Sequence, residues 1–348
     1  MPNSIDNLHS RTEKSIAVII HSYKVKKHIL DVISRIGPEV SRIYVVDDAC
    51  PEQSGRWVEQ HSTDLRTHVL YNEKNSGVGG AMKTGYIKAI QDGIDIAVKI
   101  DGDGQMAPEL INLFVKPIIN GTADYTKGNR FFDLENINRM PRIRIIGNAI
   151  LSFLSKLSSG YWQTFDPTNG FTAIHTEVLR HIPLKKISNR YFFESDMLFR
   201  LNLVQAKVVD IPMDALYADE TSGLEIKKIL GEFLTKHTRN FIKRIFYNYF
   251  LRNFSAASIE LVAAIILTIF GAVFGVVNWV AAAKLGISSS AGTVMISAMP
   301  IIIGIQLLLS FLSYDIQSTP STSLWPRLDS RKARHQISNR TDEAENHA

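Results

Sequence analysis

The sequence predicts an α/β fold with a doubly wound, mostly parallel sheet, followed by a two-helix membrane hairpin. Three observations carry this. Short continuous apolar runs alternate with helical patterns from Ile16 to Ile119, the rhythm of strand–helix–strand units with right-handed crossovers. The runs end in polar residues, foremost Asp101-Gly102-Asp103-Gly104-Gln105, at the carboxyl strand ends where open α/β sheets bind ligands. Finally, Ala256–Ala283 and Ala291–Leu312 each exceed the ~20 residues needed to span a bilayer, and Glu260 is the sole charge in either run.

Met1–Lys14 is polar and reads as a disordered lead (residues 1–14) without an apolar signal segment. The domain occupies 15–225. Ile16–Ile20 is a buried parallel strand, and a helix over Val25–Ile36 stops at Gly37-Pro38. Ile43–Val46 is the second strand, running into Asp47-Asp48, and Glu52–His61 the second helix. Thr67–Leu70 is the third strand. The turn Asn75-Ser76-Gly77 opens a helix over Val78–Gln91, and Ile94–Ile100 is the fourth strand. Pro108 precedes a helix over Glu109–Ile119. Arg130–Ser159 is a loop with an amphipathic helical segment, and Phe171–Ile182, Arg190–Leu203 and Val208–Pro212 complete the domain.

The net charge of +5 and pI of about 9.1 are unevenly spread. Lys227–Arg252 holds seven Lys/Arg against one Glu. It runs directly into an apolar span, which favours a membrane surface over nucleic acid. Residues 226–254 read as basic amphipathic juxtamembrane helices, 256–283 and 291–313 as transmembrane helices, and 314–348 as a polar tail. Lys/Arg flank both outer ends and the loop Lys284–Ser290 has one cation. The α/β domain and both termini are therefore expected in the cytoplasm, with a bacterial inner or plasma membrane as the setting. The single Cys50 excludes an intrachain disulfide, consistent with that compartment. Gly271-Ala272-Val273-Phe274-Gly275 matches a small-xxx-small packing face, which is also frequent by chance in an Ala/Gly-rich helix.

A parallel sheet gathers strand ends into one crevice, so His21-Ser22-Tyr23, Asp47-Asp48 and Asp101–Asp103 can share a nucleotide site with Gly77 and Lys83. Tyr23 can stack on a base, Asp48 can accept from a base N–H, and Lys83 can meet phosphate. Asp101 and Asp103 offer hard oxygens to Mg²⁺ or Mn²⁺. Bland readings stand beside these: Asp47 as a helix cap, His21 as a packed histidine, and Glu194 as the i, i+4 partner of Arg190. The glycine turn is not a dinucleotide fingerprint, since Met82 stands at its sixth position, and Met82-Lys83-Thr84 is not a P-loop. An EF-hand fails because Met106 and Asn112 occupy the required Gly and Glu positions.

Val45-Val46-Asp47-Asp48, Asn75-Ser76-Gly77-Val78-Gly79-Gly80-Ala81, Asp101-Gly102-Asp103-Gly104-Gln105 with Pro108-Glu109, Gly128-Asn129-Arg130, Asn169-Gly170-Phe171 and Phe193-Glu194-Ser195-Asp196 follow one another in a specific order. With Tyr23, they make Ile16–Leu224 resemble the family 2 glycosyltransferases of GT-A fold, in the polyprenyl-phosphate (dolichyl-phosphate-mannose-synthase-like) branch. That resemblance implies a GT-A (Rossmann-like) catalytic domain. It implies metal-dependent, inverting transfer of a sugar from a UDP- or GDP-linked donor to undecaprenyl or dolichyl phosphate. It implies Asp48 at the nucleobase, Asp101, Asp103 and Gln105 at the cation and donor diphosphate, Arg130, Arg142 and Arg144 at the acceptor phosphate, and Asp196 or the neighbouring Glu194 on the acceptor side. The family's Pro after the first strand is His21 here, its Asn-Glu is Lys24-Val25, and its late basic motif is replaced by Asp219-Glu220-Thr221-Ser222-Gly223-Leu224. Expected partners are the nucleotide sugar, the polyprenyl phosphate and membrane lipids, with no nucleic acid, and with self-association through the membrane and juxtamembrane helices left open. A membrane glycosyltransferase acting on a lipid-linked or polysaccharide acceptor is the alternative, but the Gln-x-x-Arg-Trp motif of processive synthases is absent. A non-enzymatic membrane scaffold would not need Asp101, Asp103 and Gln105.

Overall fold

The computed structural model describes residues 14–132, 142–214 and 226–330, with side chains of 142–144 and 226–230 outside the description. The expectations for the N-terminal lead, the Arg142 and Arg144 side chains, Asp219–Leu224 and the last residues of the tail therefore lie outside the described residues. The chain forms two compact units, Met1–Thr238 with Pro320–Ala348, and Arg239–Thr319.

The first unit is built on a seven-stranded sheet. The strands are β1 (Ile16–Ser22), β2 (Arg42–Asp47), β3 (Thr67–Tyr71), β4 (Ile96–Asp101), β5 (Tyr125–Asn129), β6 (Thr172–His175) and β7 (Val208–Pro212). Their order is β3-β2-β1-β4-β6-β5-β7. β1 pairs in parallel with both β2 and β4, while β6 runs antiparallel to its neighbours β4 and β5. Strand order reverses at β1: the chain first builds outward through β2 and β3, then returns to place β4 on the other side. That switch point opens a crevice at the carboxyl ends of β1 and β4. Helices α1 (Ile29–Ser34), α2 (Ser54–His61), α3 (Val78–Gln91) and α4 (Ile111–Ile119) supply the crossovers and cover the sheet. β1 and β4 are buried from Ile16 to Ile20 and from Ile96 to Ile100, as continuous apolar strands between two helical layers should be.

β5 is a strand that periodicity passes over. Its sequence Tyr-Thr-Lys-Gly-Asn is fully buried, yet three of its five residues are polar. Partners rather than apolar burial make this tolerable: Thr126 Oγ1 donates to the Phe114 carbonyl at 2.8 Å, and Lys127 Nζ donates to the Phe165 carbonyl.

Helices α5 (Arg142–Ser159), α6 (Thr176–Arg180) and α7 (Phe193–Leu203) complete the fold on the β4–β6–β5 side. α8 (Ile226–Phe246) begins in the first unit and continues into the second. In the first unit His237 accepts or shares a proton with Ser158 Oγ at 2.7 Å and meets the Phe192 ring edge-on at 4.8 Å. Burial pushes the His237 imidazole down to about 4, so it packs as a neutral group.

Residues 320–330, expected to be part of a polar tail, pack on the first unit. Asp124 Oδ1 accepts from Ser323 Oγ and the backbone N–H of Trp325, both at 2.8 Å, and Asp124 Oδ2 accepts from Leu324 N at 2.7 Å. Trp325 stacks on His175 with ring centres 4.4 Å apart, and Lys14 lies 4.9 Å above the Trp325 ring. A single buried carboxylate can hold a strap that composition alone reads as solvated, because its acceptors are filled by consecutive backbone donors.

In the second unit, α9 (Ala256–Leu285) and α10 (Ala291–Gln317) are long and apolar enough to cross a membrane. Ser255 and Ser258 form a capping box at the start of α9, and Ser290 caps α10 by accepting from Thr293 N at 3.1 Å. The Gly271/Gly275 face is a real contact. A Cβ on Gly271 would lie 2.5 Å from the Ser297 carbonyl, and Ser297 Oγ donates to the Gly271 carbonyl at 2.8 Å. Arg244, one of the seven basic residues of the stretch expected on the membrane surface, is instead buried with Asp315.

Candidate active site

The crevice at the β1/β4 switch point is a cavity of about 990 Å³ with two chemically distinct ends. Its polar end is lined by His21, Tyr23, Asp101, Asp103, Thr168 and Glu194. Its apolar end comes from one stripe of α5 (Gly147, Ile150, Leu151 and Leu154) with Phe233 of α8. Positions 147, 151 and 154 recur at helical spacing, so one helix face forms a continuous wall. Ile146, Ile150 and Phe153 of the same helix are more than half exposed.

The polar end is organised around Lys99, a lone charge inside an apolar strand. Its side chain is 1% exposed. Nζ donates to Asp101 Oδ1 at 2.8 Å and to the Gly170 carbonyl at 3.1 Å, and it lies 3.5 Å from Glu194 Oε1. Burial by itself would pull the ammonium's pKa down, but Asp101 and Glu194 together outweigh it and raise it. Burial likewise favours a protonated Asp101, but the adjacent ammonium outweighs burial and holds Asp101 below its ordinary value. For Glu194 burial dominates and raises the pKa; Lys99 offsets part of the rise and Asp101 adds to it. The two carboxyl groups share one ammonium unequally: Asp101 is pulled down and Glu194 is pushed up.

The chain at 165–170 presses onto this pair. A Cβ on Gly170 would sit 2.5 Å from Lys99 Nζ and 2.6 Å from Asp101 Oδ2, so any larger residue would have to push the pair aside. Asp166, in a left-handed conformation at φ 52°, anchors the loop. It accepts Arg130 Nε at 2.7 Å and Nη2 at 2.8 Å, a bidentate fork on a carboxylate that is 1% exposed. Asn169 Oδ1 accepts from Phe171 N at 2.9 Å and leads the chain into β6.

The residues singled out by sequence divide into two sets. Tyr23, Asp101 and Asp103 line the cavity. Gln105 enters through its backbone N–H, which donates to Asp103 Oδ1 at 3.0 Å. Asp48 is fully buried beside the cavity. Its Oδ2 accepts from Gly77 N at 2.7 Å, its Oδ1 accepts from Asn72 Nδ2 at 2.7 Å, and Ser76 N donates to both oxygens. It holds the glycine turn. Gly77, at φ 77°, abuts the Asn189 carbonyl, and Lys83 donates to the Ile187 carbonyl at 2.9 Å. Arg130 is engaged by Asp166. Asp196 accepts from Ser188 N at 2.8 Å and from Arg200 Nη2 at 3.2 Å, outside the cavity lining; its neighbour Glu194 is the carboxylate that reaches in. Glu194 pairs with Lys99 rather than with Arg190. Asp47 caps α2, accepting from Gly55 N at 2.6 Å. Lys99 and Gly170 were missed. The charge of Lys99 within the run Ile94–Ile100 was the available signal, whereas no sequence feature places Gly170 against Asp101.

Residues 17–183, just under half of the chain, match glycosyl transferase family 2, and the protein is a glycosyltransferase. The chain is 28% identical over 233 residues to the UDP-N-acetylglucosamine–dolichyl-phosphate N-acetylglucosaminyltransferase of Methanococcus voltae, covering 63% of this chain and 92% of that protein. It is 28% identical over 228 residues to the undecaprenyl-phosphate mannosyltransferase of Micrococcus luteus, covering 64% of this chain and 93% of the relative. Its fold is similar to that of glucosyl-3-phosphoglycerate synthase from Mycobacterium tuberculosis, with a TM-score of 0.50 at 17% identity over 66% of this chain and 80% of that one.

Proposed function

We propose that this protein transfers a sugar from a UDP- or GDP-linked donor to a polyprenyl phosphate at a membrane. The observation that carries the reading is the joined cavity: carboxylates at the strand ends open into an apolar wall formed by α5 and Phe233. A nucleotide diphosphate suits the first end and a prenyl chain the second. The names of the two relatives support the acceptor class and differ in the sugar.

Among the described residues no cluster of three or more His, Cys, Asp or Glu side chains could hold a metal alone. Two carboxylates completed by substrate phosphate oxygens are nevertheless an ordinary Mg²⁺ environment, and Asp101 and Asp103 fit it. When bound, Mg²⁺ or Mn²⁺ would offset the charge gathering on the departing diphosphate. Lys99 keeps Asp101 anionic for that purpose, and Arg130 holds the 165–170 loop against it through Asp166. Arg142 and Arg144 begin the helix that forms the apolar wall and are the candidates for the acceptor phosphate. That phosphate is already anionic, so its oxygen attacks the anomeric carbon without a strong general base, and attack opposite the leaving group inverts the centre. The direct test is incubation of membranes containing the protein with labelled UDP- and GDP-sugars and undecaprenyl phosphate. A labelled lipid-linked sugar is expected from one donor; release of free sugar alone, or glycosylation of a polysaccharide only, would sink the reading.

In the same reading the active site faces the cytoplasm. Residues up to 238 and from 320 belong to one unit, so the chain leaves the catalytic unit and returns to it around the two apolar helices. Two crossings then put the short loop after α9 on the far side, in agreement with the basic flanks. A cysteine introduced at Ser289 is expected to react with an impermeant maleimide added to intact cells, and a tag at Ala348 to stay protected. The reverse pattern would invert the topology.

A further inference from the structure

The cations around the cavity are nearly all committed. Lys99 is held by Asp101, Glu194 and Gly170. Arg130 is forked onto Asp166, Lys83 is spent on the 187–189 loop, and Arg200 is paired with Asp196. Lys24 differs. It lines the cavity at the mouth of β1, and among the described residues its ammonium meets no carboxylate. Its nearest partner is the face of Tyr23, with Nζ 5.7 Å from the ring centre.

The backbone at Lys24 is also costly to hold. Its φ of 59° is left-handed, a region that a lysine rarely adopts and that tends to persist only where the surroundings enforce it. Here Lys24 N donates to the buried Cys50 Sγ at 3.1 Å, tying the turn to the chain beyond β2. A glycine would fit this turn with less strain. An unspent ammonium on a strained turn thus lines the same cavity as Asp101 and Asp103.

We propose that Lys24 is a substrate-contacting residue whose ammonium binds a phosphate group of the reactants. This rests on the transfer reaction proposed above and extends it. The chemistry is common to two sources, the diphosphate of the donor and the phosphate of the lipid acceptor. Lysine serves either as a point charge with three donors.

The test uses the full-length protein in detergent or nanodiscs. UDP and GDP are titrated by calorimetry, and KM for undecaprenyl phosphate is measured on the same preparations. Lys24→Gly removes the charge while accommodating the left-handed turn, so its melting temperature is expected to be unchanged or higher. Its affinity for one phosphate-bearing reactant is expected to fall about tenfold or more, as for loss of a charge-assisted hydrogen bond. Lys24→Arg is expected to recover most of that loss, because charge is restored. Lys26→Ala is the control: Lys26 lies 4.2 Å above the Trp57 ring, outside the cavity lining, and neither measurement should move. Weaker UDP or GDP binding with an unchanged lipid KM assigns the contact to the donor; the converse assigns it to the acceptor. The role is overturned if Lys24→Gly changes neither value, or if a loss is not recovered by Lys24→Arg. Wild-type protein that forms no lipid-linked sugar defeats the transfer reaction itself. The nucleotide titration then still reads Lys24 directly, and a titration insensitive to Lys24→Gly defeats this role as well.

Discussion

Asp103→Ala is expected to leave the protein folded and to lower sugar transfer by roughly 10²–10⁴-fold, about 3–5 kcal/mol of transition-state stabilisation lost with a cation ligand. The side chain lines the cavity and accepts from the N–H of Gln105 two residues on. Asp101 should behave differently. It shares the buried Lys99 with Glu194, so Asp101→Ala leaves that ammonium with the Gly170 carbonyl and a single carboxyl partner, whose pKa burial already raises. Activity and melting temperature should therefore fall together in Asp101→Ala and separately in Asp103→Ala. The measurement is transfer rate across a Mg²⁺ and Mn²⁺ titration, with thermal unfolding on the same samples. Full activity of Asp103→Ala, or undiminished transfer by wild-type protein in excess chelator, would take the cation and this carboxylate out of the mechanism.

The second large effect is on stability. Arg244 and Asp315 are 2% and 3% exposed, their closest approach is 2.6 Å, and a second Arg244 nitrogen lies 2.9 Å from Asp315. Tyr249 donates to the same carboxylate at 2.6 Å. Asp315→Ala removes the carboxylate that a buried guanidinium and a buried hydroxyl share, and should cost roughly 3–5 kcal/mol. Replacing both partners, Arg244→Met with Asp315→Leu, should cost far less, because no charge is then left unpaired. Thermal unfolding in detergent, read with limited proteolysis across residues 239–319, checks this. Equal destabilisation of the single and double variants would mean that the pair contributes by shape rather than charge.

Where local pattern sufficed, the sequence was legible. The helix Val78–Gln91 was read to the residue, and β1, β2 and β3 to within two residues at their ends. The fourth strand was expected from Ile94 and begins at Ile96, where the Asp95 and Ile96 amides both donate to the Ser15 carbonyl just before β1. The helix expected over Val25–Ile36 shrinks to Ile29–Ser34, since the chain at Lys24 turns left-handed and spends the following residues at the cavity mouth. β5 escaped notice because its burial is supported by partners far along the chain.

What the sequence determined by itself is the alternation that builds the sheet, the carboxylates at the end of β4, and two apolar helices of membrane length. These depend on periodicity, composition and residues adjacent in the chain, all of which are local. What only the tertiary structure decided is which polar groups share a cavity and which are consumed by holding the chain. Asp48, Lys83, Arg130 and Asp196 carry the right chemistry for a nucleotide or phosphate, but their hydrogen bonds go to backbone groups or to other side chains that hold the chain in place. Lys99, Glu194 and Gly170 come from three separate segments and meet within hydrogen-bonding range. A buried charge takes whatever partner the packing brings near, and that partner is set by the path of the chain through space rather than by spacing along it.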